Sequence, residues 1–410
     1  MKFTAVHPLS KSGRVSRSIL LVALLIGSLF PTLLGISFTT VAAAITLPVV
    51  VYEILRWLPR IHPVALFVLP LFGVFALHMI FVPPATAYGE DKVLKWLTIT
   101  LMTALAASLL RDEKSIHTFC WAWIVASTGL ALVAVTGFQG ERAEGFDSNP
   151  IWLARAMGTA LVMLFWLATQ RKVRVPVLLV LSVLLAVGII ATGSRGPILA
   201  VGVGAAMVAM FSNRYRIRKV IAILVGAGAA YWAVTVLPFF AESRFVSLLV
   251  DGDNDLSRSI FWTVTPGVIK SHPGGVGVGN WSLYAGAPRQ FEYPHNLFLE
   301  IFSEFGVAIG VAFMVLMVVL GILLLRRGKE APVAIAVLAL LGSETANVFV
   351  SGDLNGRTFW FLLTLSFLVA ARVVLPGDEA SSTTPASTPR ATPYRNASSP
   401  GVRSAGRPHR

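Results

Sequence analysis

Residues 297–325 read LFLEIFSEFGVAIGVAFMVLMVVLGILLL, and Arg326, Arg327 and Lys329 follow directly. From Phe305 to Leu325 there is no charged side chain. About 20 apolar residues in a helix cross the hydrocarbon core of a bilayer. A soluble core helix would carry a polar stripe along one face, and this stretch has none over its second half. It reads as a membrane helix that ends in a basic cluster. Composition extends that reading to the whole chain. Of 410 residues, 55% are hydrophobic and 13% charged, where a soluble domain carries roughly 25% charged residues. Too few polar side chains remain to coat a water-soluble particle of this size, so lipid must solvate most of the surface. The formal charge of +14 does not point to nucleic acid, because the basic residues cluster in short loops that orient membrane helices. Cys120, in an apolar run, is the single cysteine. It has no partner for an internal disulfide or a cysteine-based metal site.

Working outward gives twelve candidate spans: 19–36, 38–55, 62–82, 93–110, 117–137, 151–169, 174–191, 196–211, 219–240, 297–325, 331–350 and 358–375. The stretch from Ile19 is read as a span because no small-residue cleavage site follows it. With the N-terminus inside, most of the 34 basic residues fall in the N-terminal segment, in inner loops such as 171–174 and 214–219, or in the tail. That is the positive-inside pattern, and removing one span would put later basic loops on the wrong side. The expected fold is an all-α integral membrane protein of about twelve transmembrane helices. Residues 1–18 would be a cytoplasmic N-terminus, 19–375 the membrane domain and 376–410 a tail. The tail is rich in Ser, Thr, Pro and Arg, a composition that buries too little apolar surface to fold. One outer loop, 241–296, is long. Its aromatics and a helix-compatible stretch at 257–271 argue for order.

Basic residues outside break the charge trend and are the first candidates for chemistry. Arg195 lies in TGSRGP, where two readings stay open. It can snorkel to headgroups, or it can bind an anion at the start of the next helix, where the dipole favours phosphate. Arg258 lies in LSRSIFWTVTPGVIKSHP, on one face with Trp262 if a helix begins at Ser257. An amphipathic surface helix is the alternative. GGVGVGNW at 274–281 lacks the spacing of a nucleotide-binding loop and reads as a tight turn.

The sharpest cluster is EYPHNLFLEIFSEFG at 292–306. Asn296 can cap the helix start. Glu300 and Glu304 share a helical face at a depth where carboxylates are costly and default to functional suspects. His295 at the helix mouth is a structural histidine or a general base, for which its ordinary pKa suits it. Further outer features are Arg142 in GERAEGFDSNP, Arg155 one turn into a span, and Asp353 and Arg357 in SGDLNGRTFW. Arg142 and Arg155 read as interfacial anchors. Glu344 is a buried carboxylate that can pair with one of the outer arginines. No zinc-binding spacing and no serine nucleophile elbow occurs.

An SRG turn between mid-chain spans, then R-S-I-F-W and a glycine segment in a long outer loop, then His-Asn opening a helix with a downstream Glu and Gly, resembles the O-antigen ligase and polymerase superfamily. The resemblance covers the seventh to tenth spans. It implies an inverting, metal-independent glycosyltransferase of the bacterial inner membrane, with no cofactor, whose site faces the periplasm. The donor would be a glycan on undecaprenyl diphosphate and the acceptor lipid A–core. A second lipid-linked glycan would be the acceptor for a polymerase. Arg195 and Arg258 would hold the donor diphosphate and His295 would take the acceptor proton, with Asn296, Glu300, Glu304, Arg142, Asp353 and Arg357 as possible support. The outer loop favours a ligase, whereas SGDLNGRTFW leans towards polymerases of exopolysaccharide systems. A secondary transporter is the rival from another class. Its paired repeats and midplane helix breaks are not evident, since the polar residues gather at one face.

Overall fold

The computed structural model describes residues 10–32, 35–56, 61–138, 143, 146, 149–212, 256–286 and 291–373, with the backbone alone over 256–260. The expected span at 219–240, the first part of the long loop, Arg142 and the tail lie outside the described residues. Among the described residues the chain is helical, with no β-strand.

Eight helices are long and apolar enough to cross a membrane. They are α1 (Lys11–Leu29), α2 (Phe38–Leu55), α3 (Pro63–Phe81), α4 (Ala87–Leu109), α5 (Glu113–Thr136), α6 (Pro150–Thr169), α12 (Gly306–Arg327) and α13 (Pro332–Ser351). Three shorter apolar helices are α7 (Val175–Ala191), α8 (Arg195–Phe211) and α14 (Arg357–Ala370). Three further helices lie between α8 and α12: α9 (Leu256–Ser271), α10 (Trp281–Ala285) and α11 (Leu297–Glu304).

Three elements differ from the sequence expectation. The helix expected over 19–36 runs from Lys11 to Leu29, because the Ser10 hydroxyl caps it by accepting from the Gly13 N–H at 3.1 Å. The helix expected from residue 93 begins at Ala87, because the Thr86 hydroxyl caps it by accepting from the Gly89 N–H at 3.0 Å. It thereby carries Lys92 into the helix and contains a π-helical turn at Trp96–Thr100. The single span expected over 297–325 is two helices, broken at Gly306, whose φ is +87°. That left-handed conformation is natural for glycine. A β-carbon at Gly306 would also lie 2.6 Å from the Gly274 carbonyl carbon, so the break is where the glycine loop docks.

Lipid offers no hydrophobic gain for helix pairing, so close backbone approach must supply it. α8 packs along α13 in this way. A β-carbon on Gly342 would meet the Met207 sulfur at 2.3 Å, and one on Gly204 would meet the Ser343 β-carbon at 3.1 Å. An aromatic core joins α3, α4 and α14: Phe72 stacks on Trp96 at 4.3 Å, and Trp360 lies 5.9 Å from Phe75. The outward faces of α3, α7 and α12 leave Ile80, Val180 and Val318 exposed, as lipid contact requires.

Candidate functional site

Three side-chain layers meet at the bundle end where α3, α7 and α13 finish and α4, α8 and α11 begin. The first layer holds His295. Its ring is half-buried and lies 4.1 Å from the Tyr293 ring, 5.3 Å from Phe261 of α9 and 6.3 Å from Phe291. Its backbone is left-handed at φ +50°, uncommon for a residue with a β-carbon and sustained only by surrounding structure. Asn296 supplies part of that hold as expected, accepting from the N–H groups of Phe298 and Leu299 at 2.9 and 3.1 Å. Phe261, Val268, Val276 and Trp281 form a small separate core under the loop. The Trp281 indole N–H donates to the Thr265 hydroxyl at 3.1 Å and ties α10 to α9.

Beneath His295 lies a fully buried charge cluster. The Lys92 ammonium donates to both Glu304 oxygens, at 3.0 and 2.8 Å, and forms an ion pair with Glu300. Lys92 also stands 5.5 Å from the Tyr88 ring, which stacks on Tyr293 at 6.4 Å. Glu300 and Glu304 thus have a counter-ion from α4 that the sequence alone did not pair with them. The signal was indirect: two carboxylates one turn apart in an apolar run require a cation.

The glycine segment serves this cluster rather than a phosphate. The Val276 and Gly277 N–H groups donate to the carbonyls of Ser303 and Glu304, both at 2.9 Å. The Gly279 N–H bonds the Glu304 carboxylate. The Asn280 side chain accepts from Ala85 N–H at 2.7 Å and donates to the carbonyls of Pro83 and Val276. The amides of Val276, Gly277 and Gly279 are thus already in use.

The third layer holds the arginines. Arg195 is the first residue of α8 and is exposed, after Gly193 at φ +65° and a buried Ser194. Its neighbour Gly196 faces Val350 on the last turn of α13. Arg258 lies in α9, as expected from the sequence, with its side chain outside the described atoms. Trp262, one turn on, packs edge-on at 5.0 Å against Phe349 of that same last turn, and Phe298 of α11 lies 6.2 Å from Phe349. The starts of α8 and α11 and the body of α9 therefore share one contact surface. Arg142 is outside the described residues, but the next residue, Ala143, donates its N–H to the Ala191 carbonyl at 2.8 Å, beside the Arg195 turn.

Arg155 is not the interfacial anchor expected. It is 5% exposed and donates to the carbonyls of Asn347 and Ser351, at 3.1 and 2.8 Å. It thereby closes the C-terminus of α13. Arg357 binds the Leu24 carbonyl at 3.2 Å and the Ser28 hydroxyl at 3.0 Å, holding α14 to the end of α1. Asp353, in the turn between α13 and α14, lies within electrostatic reach of Lys92, and burial raises its carboxyl above the ordinary range. The structure thus groups Asp353 with the buried charges and sets Arg357 against α1. Among the described residues no group of three or more His, Cys, Asp or Glu side chains could hold a metal ion.

No curated protein matches the chain. A family model described as O-antigen ligase matches residues 180–314. The matched stretch runs from α7 into α12 and contains Arg195, Arg258 and His295, and over it the chain is similar to the O-antigen ligase family.

Proposed function

We propose that this protein transfers a glycan from undecaprenyl diphosphate to a hydroxyl of lipid A–core at the periplasmic face of the bacterial inner membrane. One observation carries the reading. Within the matched segment, α8 with Arg195, α9 with Arg258 and the mouth of α11 with His295 converge on the last turn of α13. The acceptor oxygen attacks the anomeric carbon opposite the diphosphate, and the bond from that carbon to the diphosphate oxygen breaks. His295 takes the acceptor proton. The leaving diphosphate gains charge, and Arg195 and Arg258 neutralise it with planar, permanently charged guanidinium groups. Electrostatic stabilisation of a leaving anion is usually the largest contribution in such a site. The glycosyl diphosphate carries its own driving force, so no nucleotide enters. In this reading twelve spans cross the membrane, eleven of them the apolar helices above and the twelfth at 219–240.

Joining two lipid-linked repeat units is the second reading, favoured by the 351–360 turn. A transfer assay separates them. Purified protein is given a lipid-linked glycan with either lipid A–core or a second lipid-linked unit, in excess chelator and without ATP. Transfer to lipid A–core is expected. Transfer only to the lipid-linked unit makes the protein a polymerase, and a strict requirement for added magnesium sinks the mechanism.

A further inference from the structure

A second polar site lies between the end of α1, the π-helical turn of α4, the start of α6 and the α13–α14 turn. It has two connected parts. The inner is a cavity of about 30 Å³ bordered by Trp152, Arg155, Glu344 and Arg357. The outer is a cleft of about 350 Å³ bordered by Lys95, Trp152, Asp353, Asn355 and Arg357. Trp152, Arg357, Ser28 and Leu29 border both. The inner cavity is only large enough for a water or two, so a ligand's body would occupy the cleft and present one group inward.

The polar groups here are built for such a ligand. Arg155 is 5% exposed, and its Nε and Nη1 have no hydrogen-bond partner among the described residues, although Nη2 is committed to α13. The Trp152 ring braces that guanidinium at 4.9 Å. Two unpaired N–H donors on a fixed planar cation match an oxyanion. Asp353 Oδ1 and Asn355 Oδ1 are likewise without a partner among the described residues, and both residues border the cleft. Two negative groups oppose a bare anion: Asp353, and Glu344, whose Oε2 already accepts from Asn347 at 2.9 Å. Arg155 and Arg357 stand against them, and the Lys95 charge is paired with Asp91 at 2.6 Å.

We propose that this cleft binds a polyol phosphate, an anionic phosphate carrying neighbouring hydroxyls, with Arg357 on the phosphate, one phosphate oxygen reaching inward to Arg155, and Asp353 and Asn355 on the hydroxyls. A phosphorylated saccharide and a glycerophospholipid headgroup both have this chemistry. That the ligand is part of a transfer substrate rests on the reading above. The binding itself does not.

The test uses the full chain in phosphatidylcholine nanodiscs and isothermal titration calorimetry, with glucose 1-phosphate, glucose and inorganic phosphate as probes. Glucose 1-phosphate should bind at least about tenfold more tightly than either other probe. Arg155→Lys, which keeps the charge and loses the fork, and Asn355→Ala should each weaken it by about tenfold or more. His295→Ala should bind as wild type. Melting curves verify folding, and the half-buried Asn355 keeps the test decisive if Arg155→Lys does not fold. Repeating the titration in phosphatidylglycerol nanodiscs assigns the source. Lost binding means that the headgroup already fills the cleft, retained binding means a saccharide site, and either supports the proposal. It is overturned if glucose 1-phosphate does not bind, if phosphate alone binds as well, or if both variants bind like wild type. A protein that binds the probe but transfers no glycan refutes the transfer reading and leaves the cleft assigned.

Discussion

His295 and His272 are two imidazoles of the same loop region with different surroundings. His295 is held at φ +50° among three aromatic rings, whereas His272 hydrogen-bonds the adjacent Ser271 hydroxyl at 3.0 Å and rests on Tyr284. A positioned general base contributes about 10²–10⁴-fold to rate. His295→Ala should therefore lower transfer by that range with donor binding retained, and His272→Ala should stay near wild type. Comparable rates for both variants would make His295 structural. A third histidine, His62, predicts a pH effect. Its Nδ1 accepts the Val64 N–H at 3.0 Å and caps α3, so protonation there removes the cap. Burial holds its pKa down at about 4, with Arg111 nearby acting the same way and Glu53 opposing. The folded state then binds fewer protons than the unfolded one between about 4 and the ordinary value near 6.5. Stability is full above that window and declines as pH falls through it. Melting at pH 7 and pH 5 should show a larger loss for wild type than for His62→Asn, which can cap but not titrate. Equal losses would place the titrating group elsewhere.

At the scale of elements, the joint between α11 and α12 supports the candidate site. Gly306→Ala forces a β-carbon into a left-handed position and against the Gly274 backbone. It should cost at least about 2 kcal/mol and make the 274–279 loop more sensitive to protease. Gly321→Ala, in the same helix with nothing within 4 Å of its β-carbon, should be neutral or stabilising. A second element-level link is Lys92, which fastens α4 to α11. Removing one partner of a buried ion pair typically costs about 3–5 kcal/mol. Lys92→Met should therefore melt well below wild type, and adding Glu304→Gln should restore part of the loss. A single variant that melts like wild type would mean that the cluster does not hold these helices. Lys92 and the glycine loop were hard to assign from sequence because their partners are distant. A charged turn before an apolar run looks like a loop until Thr86 caps it, and a glycine run read as a tight turn does not show that its amides hold the 303–304 carbonyls.

At the scale of the molecule, the two ends of the bundle carry different chemistry. The end opposite His295 gathers Arg17, Arg56 and Arg111 around buried Glu53, with Arg14 at 4.0 Å from Asp112. If the basic end faces the cytoplasm, cysteines at Ser271 and Lys329 should label from opposite sides. Cys120 is buried, and a Cys120→Ala background removes it altogether. Labelling of both from one side would overturn the twelve-span orientation.

By itself the sequence determined the solvent of this protein and most of its helices. Apolar length and basic loops act locally, so α2, α3, α5 to α8 and α13 lie close to their expected places. It also marked His295, Arg195 and the capping Asn296, because helix starts have local signatures. Only the tertiary structure decided which charges meet. Lys92 and Glu304 are 212 positions apart, and Arg155 lies 196 from Ser351. Such pairs are fixed by helix packing in three dimensions. A buried charge must find a partner wherever packing brings one, and no periodicity along the chain records that choice.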